Sequence, residues 1–299
     1  MPITMKNIIY LFLLLPSVLL SQKFIHLDSL KQYQTIEYIL DTKDIYRIDK
    51  KINVYNVFIS KDNILLFSIL PNLEKETIFE KKEKKMENWQ KIDIEKIKNQ
   101  ILTTKQIAKI VDEWSIDNNP EMKTMNYNLL KQINGIYYIS QHCLIEFFNI
   151  SNLKFPLISS YGIINIEDKK VTIKQMEKSF KEQFPDIPFI MDVREDNFLQ
   201  NITNPYEYRN YLSKEIIVKD EKAYQFWTFD GWWIHDGYNV YRGIDRFLFI
   251  PNKGIVGGSY DFYFRLKPKI STNDYYTASS DNLWDNIINE KIMVADELK

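Results

Sequence analysis

The chain has 299 residues, 45% of them hydrophobic and 14% aromatic, with 39 basic against 40 acidic side chains and a formal net charge of −1. A chain of this length buries most of the surface that its unfolded form exposes, and its even charge lacks the basic face that nucleic acid requires. The single cysteine, Cys143, rules out an intrachain disulfide, so packing has to carry the stability.

Residues 1–21 read as a signal peptide. Lys6 supplies a positive start, and Ile8–Leu20 is a run without charge that contains Pro16. A spanning helix needs about 20 apolar residues, so this shorter run fits a secretory core better than an anchor. Cleavage is expected after Ser21, leaving Gln22 first and a remainder of 38 basic and 40 acidic groups. The only cysteine lies far from that junction, so lipoprotein anchoring is not expected. The expected location is the periplasm or the extracellular space, with no stable membrane insertion after cleavage.

The segment "SLKQYQTIEYIL" has Ser29 and Gln32 at capping-box spacing, which predicts a first helix. "INVYNVFIS" and "ILLFSIL" flank "KDN" and predict a β-hairpin. Glu74–Gln100 is mostly charged, with irregular apolar positions, and is read as helical. In "TTKQIAKIVDEW", Thr103 and Gln106 form a second capping box, and Ile107, Ile110, Val111 and Trp114 share a face, so a helix is expected until "DNNP" at 117–120 stops it. That stop is the candidate boundary between a mixed helix and hairpin region, 22–120, and an antiparallel-sheet region, 121–299; the two are also compatible with one domain.

Beyond it, Asn134–Gly135 between two apolar runs predicts a tight hairpin, whose second strand continues into "QHCLIEFFNI". "YGIINIE" is expected as a strand. Thr172 and Gln175 cap a helix with Ile173, Met176, Phe180 and Phe184 as its stripe, ended by Pro185. From Ala223 to Leu266 the reading is antiparallel sheet: "FLFIPNKGIVGG" is a hairpin, and "SYDFYFRL" alternates as a strand with one wet face. A helix from about Asp281 closes the chain, using Trp284, Ile287, Ile288 and Ala295. The expected fold class is α+β: N-terminal helices with a β-hairpin, then a mainly antiparallel sheet with a capping helix and a C-terminal helix.

Several chemistries have no motif. The eight glycines form no Walker A loop and no GxGxxG, and there is neither an HExxH nor a GxSxG. His26, His142 and His235 are scattered and give no zinc spacing, so neither metal nor cofactor is expected. In "QHC", adjacent strand side chains point to opposite faces, so His142 cannot activate Cys143, which aligns with Ile145 and Phe147 as a buried thiol.

The functional-looking stretch is "FDGWWIHDGYN". Six of the eight glycines and three of the six tryptophans fall between Trp227 and Gly258. If 229–236 is extended, Asp230, Trp232 and Asp236 share one face, and Phe229, Trp233 and His235 the other; one tryptophan is then buried and one exposed, with Trp232 favoured as the exposed ring. Asp230 and Asp236 would lie roughly 20 Å apart on a straight strand, too far to act together unless the chain turns back at a glycine. Each "DG" is also a turn signal. Asp245 with Arg242 and Arg246, and Asp261 with Arg265, are expected as ion pairs on the wet face. The sequence therefore reads as an exported protein that binds a protein or glycan partner through the aromatic sheet at 226–265, with Trp232, Trp233, Tyr238, Arg242 and Arg246 as contacts. The alternative is an extracytoplasmic hydrolase using Asp230, His235, Asp236 or Asp261.

Overall fold

A computed structural model describes residues 23–72, 88–117, 124–125, 127–151, 162–194, 206–207, 209–229, 243–265 and 280–299. These residues form fourteen strands in three sheets and five α-helices. The expected α+β class with N-terminal helices gives way to a mostly β protein.

The central sheet starts as a meander. Strands β2 (Gln34–Asp41), β3 (Lys51–Phe58) and β4 (Asn63–Leu70) pair antiparallel, and β4 pairs along its length with β8 (His142–Ile150). A two-residue parallel strand, β9 (Ile163–Ile164), completes the order β2-β3-β4-β8-β9. Strand β4 shows why its sequence is a continuous apolar run: Leu65, Phe67 and Ile69 pack toward one neighbouring layer, and Ile64, Leu66 and Leu70 toward another. A strand covered on both faces has no wet side on which to put polar residues.

On one side of this sheet lies a four-stranded sheet of order β1-β6-β7-β5, made of β1 (Phe24–His26), β6 (Asn128–Ile133), β7 (Ile136–Ser140) and β5 (Trp89–Ile92). The Asn134–Gly135 turn joins β6 to β7 with φ of 49° and 79°, the left-handed pair that a two-residue hairpin of this hand demands. Cys143, Leu65, Phe67, Ile69, Leu129 and Trp89 fill the space between the layers. A helix, α2 (Thr104–Asp117), adds Ile107, and its Thr103–Gln106 box forms as the spacing predicts.

On the other side lies a five-stranded sheet: β10 (Arg209–Val218), β11 (Glu221–Phe229), β12 (Arg246–Ile250), β13 (Gly254–Ser259) and β14 (Met293–Val294), in that order and antiparallel throughout. The two five-stranded sheets meet at both borders. A Leu40–Ala295 bridge links β2 to the residue after β14, and Asn210 Nδ2 donates to the Ile163 carbonyl at 3.0 Å. Between them lies the main core, where Phe148 meets Phe247 edge-on and Phe247 stacks on Phe226. Helices α3 (Ile173–Gln183) and α5 (Ser280–Ile288) add Met176, Phe180, Leu283 and Trp284 to the same core. Among the described residues no helix is long and apolar enough to cross a membrane.

Three elements depart from the expectations. "SLKQYQTIEYIL" forms a short 3-10 turn, Leu27–Leu30, and then β2: its β-branched and aromatic residues pair with all eight residues of β3, and Ser29 does not cap a helix. In the second, Glu74–Gln100, the described part is strand β5 and then two 3-10 turns, because Trp89–Ile92 pairs with β7. "SYDFYFRL" is not a strand either. The ladder stops at Ser259, and Asp261–Arg265 is a short helix, α4, whose Phe262 and Phe264 are both buried.

Candidate functional site

Segment 230–242, which carries most of the residues singled out in the sequence, connects β11 to β12. Its roots are firmly held. Thr228 N donates to the Asp245 carbonyl at 2.9 Å, Trp227 pairs with Arg246, and Asp245 N donates to the Ser259 carbonyl at 2.8 Å. Thr228 Oγ1 donates to Asn210 Oδ1 at 2.8 Å, which ties the first root to β10. The second root is held across the core. Ile244 N donates to Glu146 Oε2 at 2.9 Å, and Gly243, at φ +86°, lies so close that a Cβ there would come within 2.4 Å of the Glu146 carboxylate.

Glu146 belongs to a set. Asn56, Leu66 and Glu146 stand in one cross-strand row of the central sheet, and Ser68 lies two residues along from Leu66. Each of the three polar members is fully buried and grips the opposite sheet or its flank. Asn56 exchanges two hydrogen bonds with the Ile255 backbone, at 2.9 and 2.7 Å. Ser68 Oγ shares a 2.7 Å hydrogen bond with Tyr260 OH. Buried polar groups placed this way fix the register of two layers that apolar contacts alone would leave free to slide.

Beside the same roots lies a buried charge network. Arg246 Nη1 is 2.5 Å from Asp261 Oδ2, Arg246 Nη2 is 3.2 Å from Oδ1, and both side chains are 2% exposed. Arg246 Nε and Nη2 also donate to the Lys291 carbonyl at 3.1 and 3.0 Å. Tyr46, from α1 (Lys43–Tyr46), donates its hydroxyl to Asp261 Oδ1 at 3.0 Å and accepts from Tyr260 N at 2.6 Å. Asp245 Oδ2 accepts from Asp261 N at 2.6 Å. Burial, and then the charge of Asp261, push the Tyr46 hydroxyl well above its usual range, so it stays a neutral donor.

The wet-face ion pairs expected from the sequence are thus corrected: Asp261 bonds to Arg246, and both are buried with Asp245 in the interior. Long-range capture by Arg246 turns the chain at Asp261, which the alternation of "SYDFYFRL" could not reveal. Asp230, Trp232, Trp233, His235, Asp236, Tyr238 and Arg242 lie outside the described residues. Cys143 is buried as expected, and burial pushes its thiol up to about 12, while His142 is exposed. No group of three or more His, Cys, Asp or Glu among the described residues is placed to hold a metal. Sequence reading missed Glu146, Tyr46 and the Asn56–Ser68 pair. Glu146 had a visible signal, since it is the one charge in the strand "HCLIEFFNI". Comparison of the chain with protein-family models, with curated proteins and with solved structures finds no match.

Proposed function

We propose that this is an exported, non-enzymatic binding protein that takes a protein or glycan partner through the segment between β11 and β12, with Trp232, Trp233, Tyr238 and Arg242 as contacts. The observation that carries this reading is the length of that connection. Neighbouring antiparallel strands need a turn of about two to five residues, whereas thirteen residues, 230–242, separate the roots here. Long connections held on rigid scaffolds are where binding residues concentrate. This one carries two tryptophans, two tyrosines and an arginine, and Trp, Tyr and Arg are the residue types that dominate interface energy. The backbone hydrogen bonds of Thr228, Ile244 and Asp245 at its base support the same view, because a well-held root lowers the ordering cost of binding. Arg246 enters as part of that base; its guanidinium is committed to Asp261 and Lys291.

Export rests on the short apolar run and Ser21. Intact-mass analysis of protein from the native host should give a chain beginning at Gln22, and a retained Met1 in an inner-membrane fraction would refute it. For binding, wild-type protein and a Trp232→Ala/Trp233→Ala variant are compared on immobilised glycans and in crosslinking to envelope proteins. The expected result is a partner held by the wild type and lost by an equally stable variant. Equal retention by both refutes the reading, and glycan cleavage that Asp230→Asn abolishes would replace it with the hydrolase.

A further inference from the structure

At one corner of the space between the four-stranded sheet and the central sheet, two hydrogen-bond donors have no acceptor among the described residues. Cross-strand register pairs Ser140 with Trp89 in the four-stranded sheet and, two residues along on the same face, places Lys131, Tyr138 and Lys91 in one row. Trp89 is 6% exposed, and its indole Nε1 finds no hydrogen-bond partner. A buried N–H left without an acceptor costs about 1–3 kcal/mol and calls for an explanation. Directly over that ring stands Lys131 Nζ, 3.8 Å from its centroid. The lysine is half-buried and makes no ion pair among the described residues. Glu37 is the nearby carboxylate, but it is taken up elsewhere: Asn53 Nδ2 donates to Glu37 Oε1 at 3.0 Å, and Tyr55 is its cross-strand neighbour and hydrogen-bond partner. Burial lowers the pKa of Lys131, with Glu37 working the other way, so for this ammonium the loss of water outweighs the attraction of the nearby carboxylate.

The next row outward is Ile133 and Ile136, two of the three large hydrophobic side chains exposed among the described residues, at 39% and 37%. Moving from the interior to the rim, this face therefore offers an unused N–H, an unpaired ammonium on an aromatic ring, a tyrosine, and then an apolar lip. The ammonium stands over the ring whose edge bears the N–H, so the two oxygens of one carboxylate can take both donors once Lys131 swings from the ring face toward that edge. The lip has no use for a second charge but does fit hydrocarbon. We propose that this corner is a binding site for a small aliphatic carboxylate, whose oxygens take Trp89 Nε1–H and Lys131 Nζ while its alkyl chain lies against Tyr138, Ile133 and Ile136. Lys131, held only by the ring face, swings to admit the head group, and its charge then tracks the carboxylate inward. The proposal does not depend on the role proposed for the β11–β12 connection.

Hexanoate serves as the probe, titrated into the full chain by calorimetry while the indole N–H resonances are monitored by NMR. The expected result is saturable 1:1 binding with a shift of the Trp89 indole signal, identified by its loss in Trp89→Phe. Lys131→Met should weaken binding by about tenfold or more, the value of a charge-assisted hydrogen bond, and Trp89→Phe severalfold. Lys178→Met, on the exposed face of α3, should bind as the wild type does, and hexanol should bind at least tenfold more weakly than hexanoate. No saturation in the millimolar range, a different indole shifting, hexanol matching hexanoate, or undiminished binding by Lys131→Met would each overturn the assignment. Should Lys131→Met fail to fold, the wild-type indole shift and the hexanol comparison decide it alone.

Discussion

Replacing Asp261 by Asn tests whether the charge network at the base of the β11–β12 connection is as closed as its geometry states. The substitution preserves volume and an oxygen acceptor for Tyr46, and changes little but the charge. Arg246 is then left as a guanidinium 2% exposed to solvent, with two neutral acceptors, the Lys291 carbonyl and the Asn oxygen, in place of its bonded carboxylate. In addition, an amide N–H₂ can face donors that were 2.5 and 3.2 Å from the carboxylate. Removing one partner of a buried pair costs about 3–5 kcal/mol, because the survivor cannot be rehydrated. Natural domains are stable by only about 5–15 kcal/mol, so Asp261→Asn should remove a large share of the total. The double variant Arg246→Met/Asp261→Leu should recover most of this, since apolar replacements of a buried pair are often neutral or better. Urea unfolding monitored by tryptophan fluorescence at pH 7 reads each midpoint and slope, and adding the single variants Arg246→Met and Asp261→Leu to the wild type and the double variant completes a double-mutant cycle. A loss below about 1 kcal/mol in Asp261→Asn, the value of a surface pair, would refute the argument. It would mean that water reaches the guanidinium.

The buried Cys143 thiol, pushed up to about 12, should be almost unreactive: at pH 8 only about one molecule in 10⁴ carries a thiolate, so a maleimide should label native protein far more slowly than unfolded protein. Because its folded pKa lies above the unfolded value of about 8.5, its stabilising contribution is whole below that pH and is lost as pH rises toward about 12. Wild type should therefore lose stability between pH 8.5 and 10 relative to Cys143→Ala, which itself should cost about 1–2 kcal/mol at neutral pH; parallel profiles would contradict this. Gly243→Ala and Gly135→Ala form a matched pair, at φ +86° and +79°, but only the first new Cβ meets anything, the Glu146 carboxylate at 2.4 Å. Both should lose about 1–3 kcal/mol to backbone strain, and Gly243→Ala clearly more because it displaces the Ile244 anchor; equal midpoints in thermal unfolding would refute that role for Glu146.

Sequence was most legible where the deciding chemistry lies within a few residues. The Asn134–Gly135 turn needs only two left-handed residues, and the Thr172–Gln175 box closes on itself: Thr172 Oγ1 accepts from Gln175 N at 3.2 Å, and Gln175 Oε1 accepts from Thr172 N at 2.8 Å. His142 and Cys143 diverge for the same reason, since alternation on a strand is a local fact. The candidate site was less accessible. Glu146 and Asp261 lie on elements 98 and 15 residues from their partners, and only the folded sheets bring them together.

Two of the three capping-box spacings, at Ser29 and Thr172, show where local logic stops. Both put a hydroxyl residue three positions before a glutamine, yet only the second starts a helix. The residues downstream of each box separate the two cases. After Thr172 a single β-branched residue, Ile173, is followed by Lys, Gln, Met, Glu and Lys, residues that lose little rotamer freedom in a helix. After Ser29 the chain passes through Tyr33 into Thr35, Ile36 and Ile39, whose β-branched side chains resist helix and suit a pleated surface. A cap contributes about 1 kcal/mol, too little to hold twelve residues against eight ladder pairings with β3. The same weighing explains Asp261: "SYDFYFRL" has strand propensity, but a fully buried guanidinium without its carboxylate costs several times what a few strand residues gain. Polar residues isolated in apolar strands, such as Asn56, Ser68 and Glu146, are therefore the most informative letters in this sequence. The cost of burying each is offset only if a specific partner awaits it on the opposite layer, so each one marks a long-range contact that periodicity alone does not predict.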